Sequence, residues 1–128
     1  MKPFLGILFA SLVFAVAAQA QPALQAISVS LTSYAFTPST ISLQAGTTYR
    51  LHLSNDANKS HDFSAPEFFA ASAVAPADQS KISDGSVELD AGESADITVT
   101  PGKPGTYPLK CTHFLHASFG MTGQIVVQ

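Results

Sequence analysis

The run Thr106-Tyr107-Pro108-Leu109-Lys110-Cys111-Thr112-His113-Phe114-Leu115-His116-Ala117-Ser118-Phe119-Gly120-Met121-Thr122-Gly123-Gln124-Ile125-Val126-Val127 decides the reading of the whole chain. Residues 106–111 follow a sharp break at Pro101-Gly102-Lys103-Pro104-Gly105, and residues 123–127 close the chain as a second short apolar run. Both have the length and composition of β-strands. Between them lies a loop that holds the chain's single Cys, two of its His and a Met.

Working outward, the same short-strand pattern recurs upstream. Ile27-Ser28-Val29-Ser30-Leu31, Thr40-Ile41-Ser42-Leu43 and Tyr49-Arg50-Leu51-His52-Leu53 alternate apolar with polar residues, the period of a half-buried strand. Thr37-Pro38-Ser39, Ala45-Gly46 and the polar run 54–59 punctuate them as turns, so the early chain reads as a meander. Ser86-Val87-Glu88-Leu89 and Asp96-Ile97-Thr98-Val99-Thr100 alternate again on either side of Ala91-Gly92. Short strands at regular spacing predict an all-β domain, a two-sheet sandwich or a barrel. The one helix candidate is Pro66-Glu67-Phe68-Phe69-Ala70-Ala71-Ser72-Ala73, a brief excursion on a loop that Pro opens and alanines continue.

The first twenty residues read as an address. Lys2 gives a positive start, residues 4–17 form an apolar run too short to span a bilayer comfortably, and Ala18-Gln19-Ala20 offers the small residues of a cleavage site. This predicts a secretory signal at 1–20, export to the periplasm, and a single mature domain at 21–128. The formal charge of the full chain is −3 at pH 7, and loss of Lys2 makes the mature chain one unit more negative. Mild acidity without a basic cluster argues against nucleic acid or an anionic membrane surface as partner. A single Cys forms no internal disulfide, so stability rests on core packing or a bound metal.

Cys111, His116 and Met121 have the spacing Cys-x4-His-x4-Met on one loop. Soft sulfur suits Cu(I), imidazole serves both Cu(I) and Cu(II), and a Cys-His-His plane with a long axial Met is the type 1 copper arrangement. The second imidazole has to come from elsewhere. His61, in Lys59-Ser60-His61-Asp62-Phe63, follows the turn after the Tyr49 strand, where a neighbouring strand end could meet the C-terminal loop. His52 shares the outward face of its strand with Arg50 and reads as solvated, and Glu67 is a carboxylate with position alone in its favour.

At these residues the chain resembles the cupredoxins, the blue-copper family, over nearly all of residues 27–128. The resemblance rests on Phe36-Thr37-Pro38, Ile41-x-Leu43-x-Ala45-Gly46, Asn55 to His61, and Gly105-Thr106-Tyr107 through Cys111, His116 and Gly120-Met121-x-Gly123. It implies an eight-stranded Greek-key sandwich with one copper ion near one end, His61, Cys111 and His116 as equatorial ligands and Met121 as the axial one. It also implies single-electron transfer, with redox proteins docking transiently at the apolar rim of His116. Three features depart from the family pattern. Asp62 stands where many members have Asn, Phe114-Leu115 replaces Pro-Gly before the second His, and His113 offers a shorter Cys-x2-His register. The interval to Met121 favours His116, leaving His113 as a neighbour of the site, a surface group or an alternative ligand.

The expected function is therefore that of an exported, monomeric electron carrier and not an enzyme, because four protein ligands leave no place for substrate. The alternative is a periplasmic copper carrier or sequestering protein, which His113 favours and the scarcity of Met disfavours. Phe63, Phe68, Phe69, Phe114 and Phe119 are candidates for an apolar collar around the copper, with ordinary core packing as the competing role.

Overall fold

The computed structural model describes residue 3, residues 11–18 and residues 24–128. Lys2, residues 4–10 of the apolar run, Gln19-Ala20 and residues 21–23 lie outside the described residues. Among the described residues no helix is long and apolar enough to cross a membrane.

Among the described residues ten strands form two five-stranded sheets, in the orders β2-β1-β4-β8-β6 and β3-β10-β9-β5-β7. The strands are β1 Gln25–Thr32, β2 Ala35–Thr37, β3 Thr40–Leu43, β4 Tyr49–Asn55, β5 His61–Ser64, β6 Ser72–Val74, β7 Ser86–Leu89, β8 Ser94–Pro101, β9 Gly105–Lys110 and β10 Thr122–Val127. Every connection from β2 to β9 crosses between the sheets. The expected sandwich is thus present, built on the alternation of inward apolar residues. Val29, Leu31, Leu51, Leu53, Ile97 and Val99 of one sheet meet Ile41, Phe63, Val87, Leu89, Leu109, Ile125 and Val127 of the other in one buried core.

The meander expected for the early strands is not observed. β1 lies parallel to β4, and β3 joins the opposite sheet, parallel to β10. A period of two reports which face of a strand is buried but not which strand lies beside it, and the turn at Pro38-Ser39 carries the chain across to the other sheet. The helix is also shorter than expected. It spans Pro66–Ala70, and Ser72–Val74 pairs instead with β8 as an edge strand. A one-turn helix has little stability of its own. Here Phe68 and Phe69 anchor it to the core, while Ser72 and Ala73 gain ladder bonds. A 3-10 turn at Pro76–Lys81 follows. The ten strands exceed the eight implied by family resemblance, and β2 and β6, of three residues each, are short additions at the edges of one sheet.

Two close contacts position the metal-bearing end. β5 touches β9 in the ladder only at Ser64 and Lys110, so the two strands diverge beyond that point. Pro108, which has no N–H to give, is tolerated in β9 where β5 has left it. Gly123, the second residue of β10, lies against the turn that precedes β3, and a Cβ there would run into the Ser39 carbonyl oxygen and lie 3.3 Å from Leu109 Cδ2. The Ser39 carbonyl is itself fixed by accepting the Gln124 N–H at 2.8 Å. Gly123→Ala is therefore expected to lower stability by about 1–3 kcal/mol, measured by urea unfolding, and an unchanged midpoint would contradict this packing.

Candidate metal centre

The site lies where β5 begins and β9 ends. Asn55, buried at the end of β4, holds the loop that leads to His61. Its Nδ2 donates to the Lys59 carbonyl at 2.8 Å and the Leu89 carbonyl at 3.0 Å, and its Oδ1 accepts from the Ala57 N–H at 3.1 Å. His61 then opens β5 opposite Leu89, fully buried.

Cys111 follows β9 directly, and the antiparallel register of Lys110 with Thr122 sets Cys111 and Met121 at the two ends of the connecting loop. The Cys111 N–H donates to the Met121 carbonyl at 3.1 Å, and the Met121 N–H to the His116 carbonyl at 3.0 Å. Turn-like bonds coil the loop between them, His116 N–H to His113 O at 3.1 Å and Phe119 N–H to Leu115 O at 3.0 Å. Leu115 takes a left-handed φ of 63°, and Gly120, at 101°, supplies the reversal into Met121.

Three donor atoms converge as a result. His61 Nδ1 and His116 Nδ1 stand 3.1 Å apart, and Cys111 Sγ is 3.8 Å from the first and 3.5 Å from the second. A first-row divalent ion bonds imidazole nitrogen at about 2.0 Å and thiolate at about 2.3 Å, so a trigonal plane asks for N···N of about 3.5 Å and N···S of about 3.7 Å. The observed donors match that plane closely, and Met121, fully buried, stands as a type 1 site requires. The donor set fits one copper ion.

The surroundings orient these donors. His61 Nε2 meets Ser33 Oγ at 3.0 Å, and donation from Nε2–H leaves the Nδ1 lone pair facing inward. Tyr34, beside Ser33 at the tip of the β1–β2 hairpin, packs edge-on against His116 with centroids 4.9 Å apart. Asp62, buried, accepts from the Thr112 N–H at 2.6 Å and also from the Thr112 hydroxyl, binding β5 to the loop. His113 lies outside the donor cluster, stacked on His116 at 5.4 Å and 17°, and its Nε2 bonds Glu88 Oε1 at 2.7 Å.

Burial pushes the Cys111 thiol above its ordinary pKa. Burial, followed by the neighbouring His116 and His113, lowers that of His61. Near pH 7 the metal-free site thus holds a protonated thiol and a neutral His61.

The family model for the Cupredoxin-like domain matches residues 4–127. The chain belongs to the cupredoxin-like domain family. Comparison with curated protein sequences gives no match. Among solved structures, auracyanin B is similar at 26% identity and a TM-score of 0.57, covering 87% of this chain and 93% of that one. Auracyanin A, a "blue" copper protein from the green thermophilic photosynthetic bacterium Chloroflexus aurantiacus, aligns at 17% identity and a TM-score of 0.59 over 83% of this chain and 100% of that one. The McoA multicopper oxidase of Aquifex aeolicus aligns at 15% identity and a TM-score of 0.65, over 87% of this chain but 32% of the oxidase. The last two are likenesses of fold.

In this cupredoxin-like chain the structure brings together His61, Cys111 and His116, with Met121 at the loop's end. Glu67 is exposed on the helix and is not among the clustered donors. His52 is part-exposed and bonded to Asp96 at 2.8 Å. The collar divides: Phe63, Phe68 and Phe69 are core residues, whereas Phe114 and Phe119 are exposed beside the site. Ser33, Tyr34 and Glu88 went unread in the sequence, because their roles depend on which strands become neighbours.

Because a metal-bound Cys is a thiolate, copper uptake by a protonated Cys111 releases a proton, while the neutral His61 releases none. The apparent copper affinity is expected to rise about tenfold per pH unit between about pH 7 and 8.5. Competition with a chelator of known affinity measures it, and a flat profile would contradict a buried, protonated thiol.

Proposed function

We propose that this cupredoxin-like protein carries single electrons between redox proteins through one type 1 copper ion, with His61, Cys111 and His116 as equatorial ligands and Met121 as the axial one. The convergence of two imidazole Nδ1 atoms and one buried thiol within 4.8 Å of one another carries this reading. Copper in such a ligand set supplies a one-electron couple. The residues of the chain do the rest. The ladder and loop bonds around His61 and Cys111 hold the donors still, which keeps rearrangement on electron transfer small. Met121 and the core beneath it exclude water, and donors closing from four residues leave no open position for a substrate, which supports a carrier over an oxidase.

His116 is the part-buried ligand, and the loop around it leaves Phe114 87%, Phe119 60% and Leu115 48% exposed. Apolar side chains at this density suit a short-lived docking face for a redox partner that covers the His116 ring edge. We read residues 1–20 as a cleaved export signal and residues 21–128 as the mature, monomeric, periplasmic domain. The rival reading, a copper carrier for homeostasis or oxidase assembly, calls for additional soft or imidazole donors. His113 is engaged by Glu88, and Met121 is the single Met beyond the initiator.

The mature protein loaded with Cu(II) is expected to show an intense thiolate-to-copper absorption band in the red and narrow copper hyperfine splitting by electron paramagnetic resonance. Cys111→Ser is expected to lose both. A pale wild-type spectrum with ordinary tetragonal parameters would contradict the electron-carrier reading and favour trafficking.

A further inference from the structure

Asp62 and Glu88 face each other directly across the β5–β7 ladder. Like charges in register destabilise a sheet, so a carboxylate pair at this point needs an explanation. Successive residues of the metal loop provide it. Thr112 donates its N–H and its hydroxyl to Asp62, and His113 meets Glu88 at 2.7 Å through Nε2. The loop between Cys111 and His116 is therefore clipped to two neighbouring strands by two carboxylates. The second clip holds the His113 ring nearly parallel to that of His116, at an interplanar angle of 17°.

We infer that the Asp62–Glu88 pair is a positioning element of the metal centre. It docks the ligand loop through Thr112 and His113, and its negative charge beside the site favours Cu(II) over Cu(I) and so lowers the reduction potential. The inference rests on the electron-carrier reading for its effect on potential, and on the chain's own hydrogen bonds for its effect on the loop. Asp62 is buried and one residue from His61, so its charge is poorly screened. Glu88 is 54% exposed in its side chain, and water and salt weaken its influence.

Amide substitutions separate charge from shape. Asp62→Asn and Glu88→Gln keep a side-chain oxygen that accepts from the loop but carry no charge. Reduction potentials are measured at one fixed pH and ionic strength in wild type and both variants. With the red absorption band retained, Asp62→Asn is expected to raise the preference for Cu(I) about tenfold, which is about 59 mV for a one-electron couple. Glu88→Gln is expected to raise it less, about two- to threefold, consistent with screening. An intact band with both potentials unmoved would overturn the charge effect.

The metal-free protein tests the clamp independently. In wild type the Thr112 amide is expected to exchange slowly with solvent, and the His113 and His116 rings to show mutual proton contacts by NMR. Glu88→Ala is expected to lose the ring contacts, and Asp62→Ala to lose the amide protection, which Asp62→Asn retains. Unchanged exchange and ring contacts in the alanine variants would overturn the clamp. A colourless wild-type copper complex would instead defeat the electron-carrier reading, and with it the potential effect, whatever the metal-free protein shows.

Discussion

Three donor atoms have to be held within about a van der Waals contact of one another before any metal arrives. His61 Nδ1 and His116 Nδ1, 3.1 Å apart, converge on a common point, and the Cys111 thiol is buried beside them. Left to itself a flexible chain would separate these groups and hydrate them, because ordering them costs entropy and burying them costs solvation. The remainder of the structure at this end opposes that tendency. Asn55 fixes the approach to His61, the β9–β10 register brings the two ends of the ligand loop together, Ser33 sets the His61 tautomer, and Asp62 joins one side of the site to the other. The sandwich core supplies the rigidity these bonds rely on.

The fold was legible wherever alternation decided which face of a strand is buried. The runs around Val29, Ile41, Leu51, Val87, Ile97, Leu109 and Ile125 all became strands with those residues inside. Pairing was not legible. The parallel contacts of β1 with β4 and of β3 with β10 join residues that no local signal links, and the short edge strand Ser72–Val74 is held by β8 against its alanine-rich, helix-favouring context. The site followed the same division. Cys111, His116 and Met121 share one loop, where spacing in sequence limits separation in space, and His61 could be placed because it follows the turn after the Tyr49 strand, at the pole where the C-terminal loop lies. Ser33 and Glu88 carry no local signal in sequence and acquire their roles only when the β1–β2 hairpin and β7 arrive beside β5.

His113 illustrates how geometry resolves what spacing leaves open. By sequence it competes with His116 for the metal. In the folded chain its Nε2 is bonded to Glu88 and its ring lies flat against His116, so it supports the ligand from outside the donor set. Asp62 likewise keeps the bridging role that an Asn would serve, because a carboxylate oxygen accepts the Thr112 N–H as an amide oxygen does, while adding a charge that an amide lacks.

Copper X-ray absorption spectroscopy on the loaded protein, in both oxidation states, tests the central claim most directly. A preorganised centre predicts one short sulfur and two imidazole nitrogens around copper, nearly unchanged between Cu(II) and Cu(I). A third imidazole, a missing short sulfur, or a ligand gained on oxidation would contradict it.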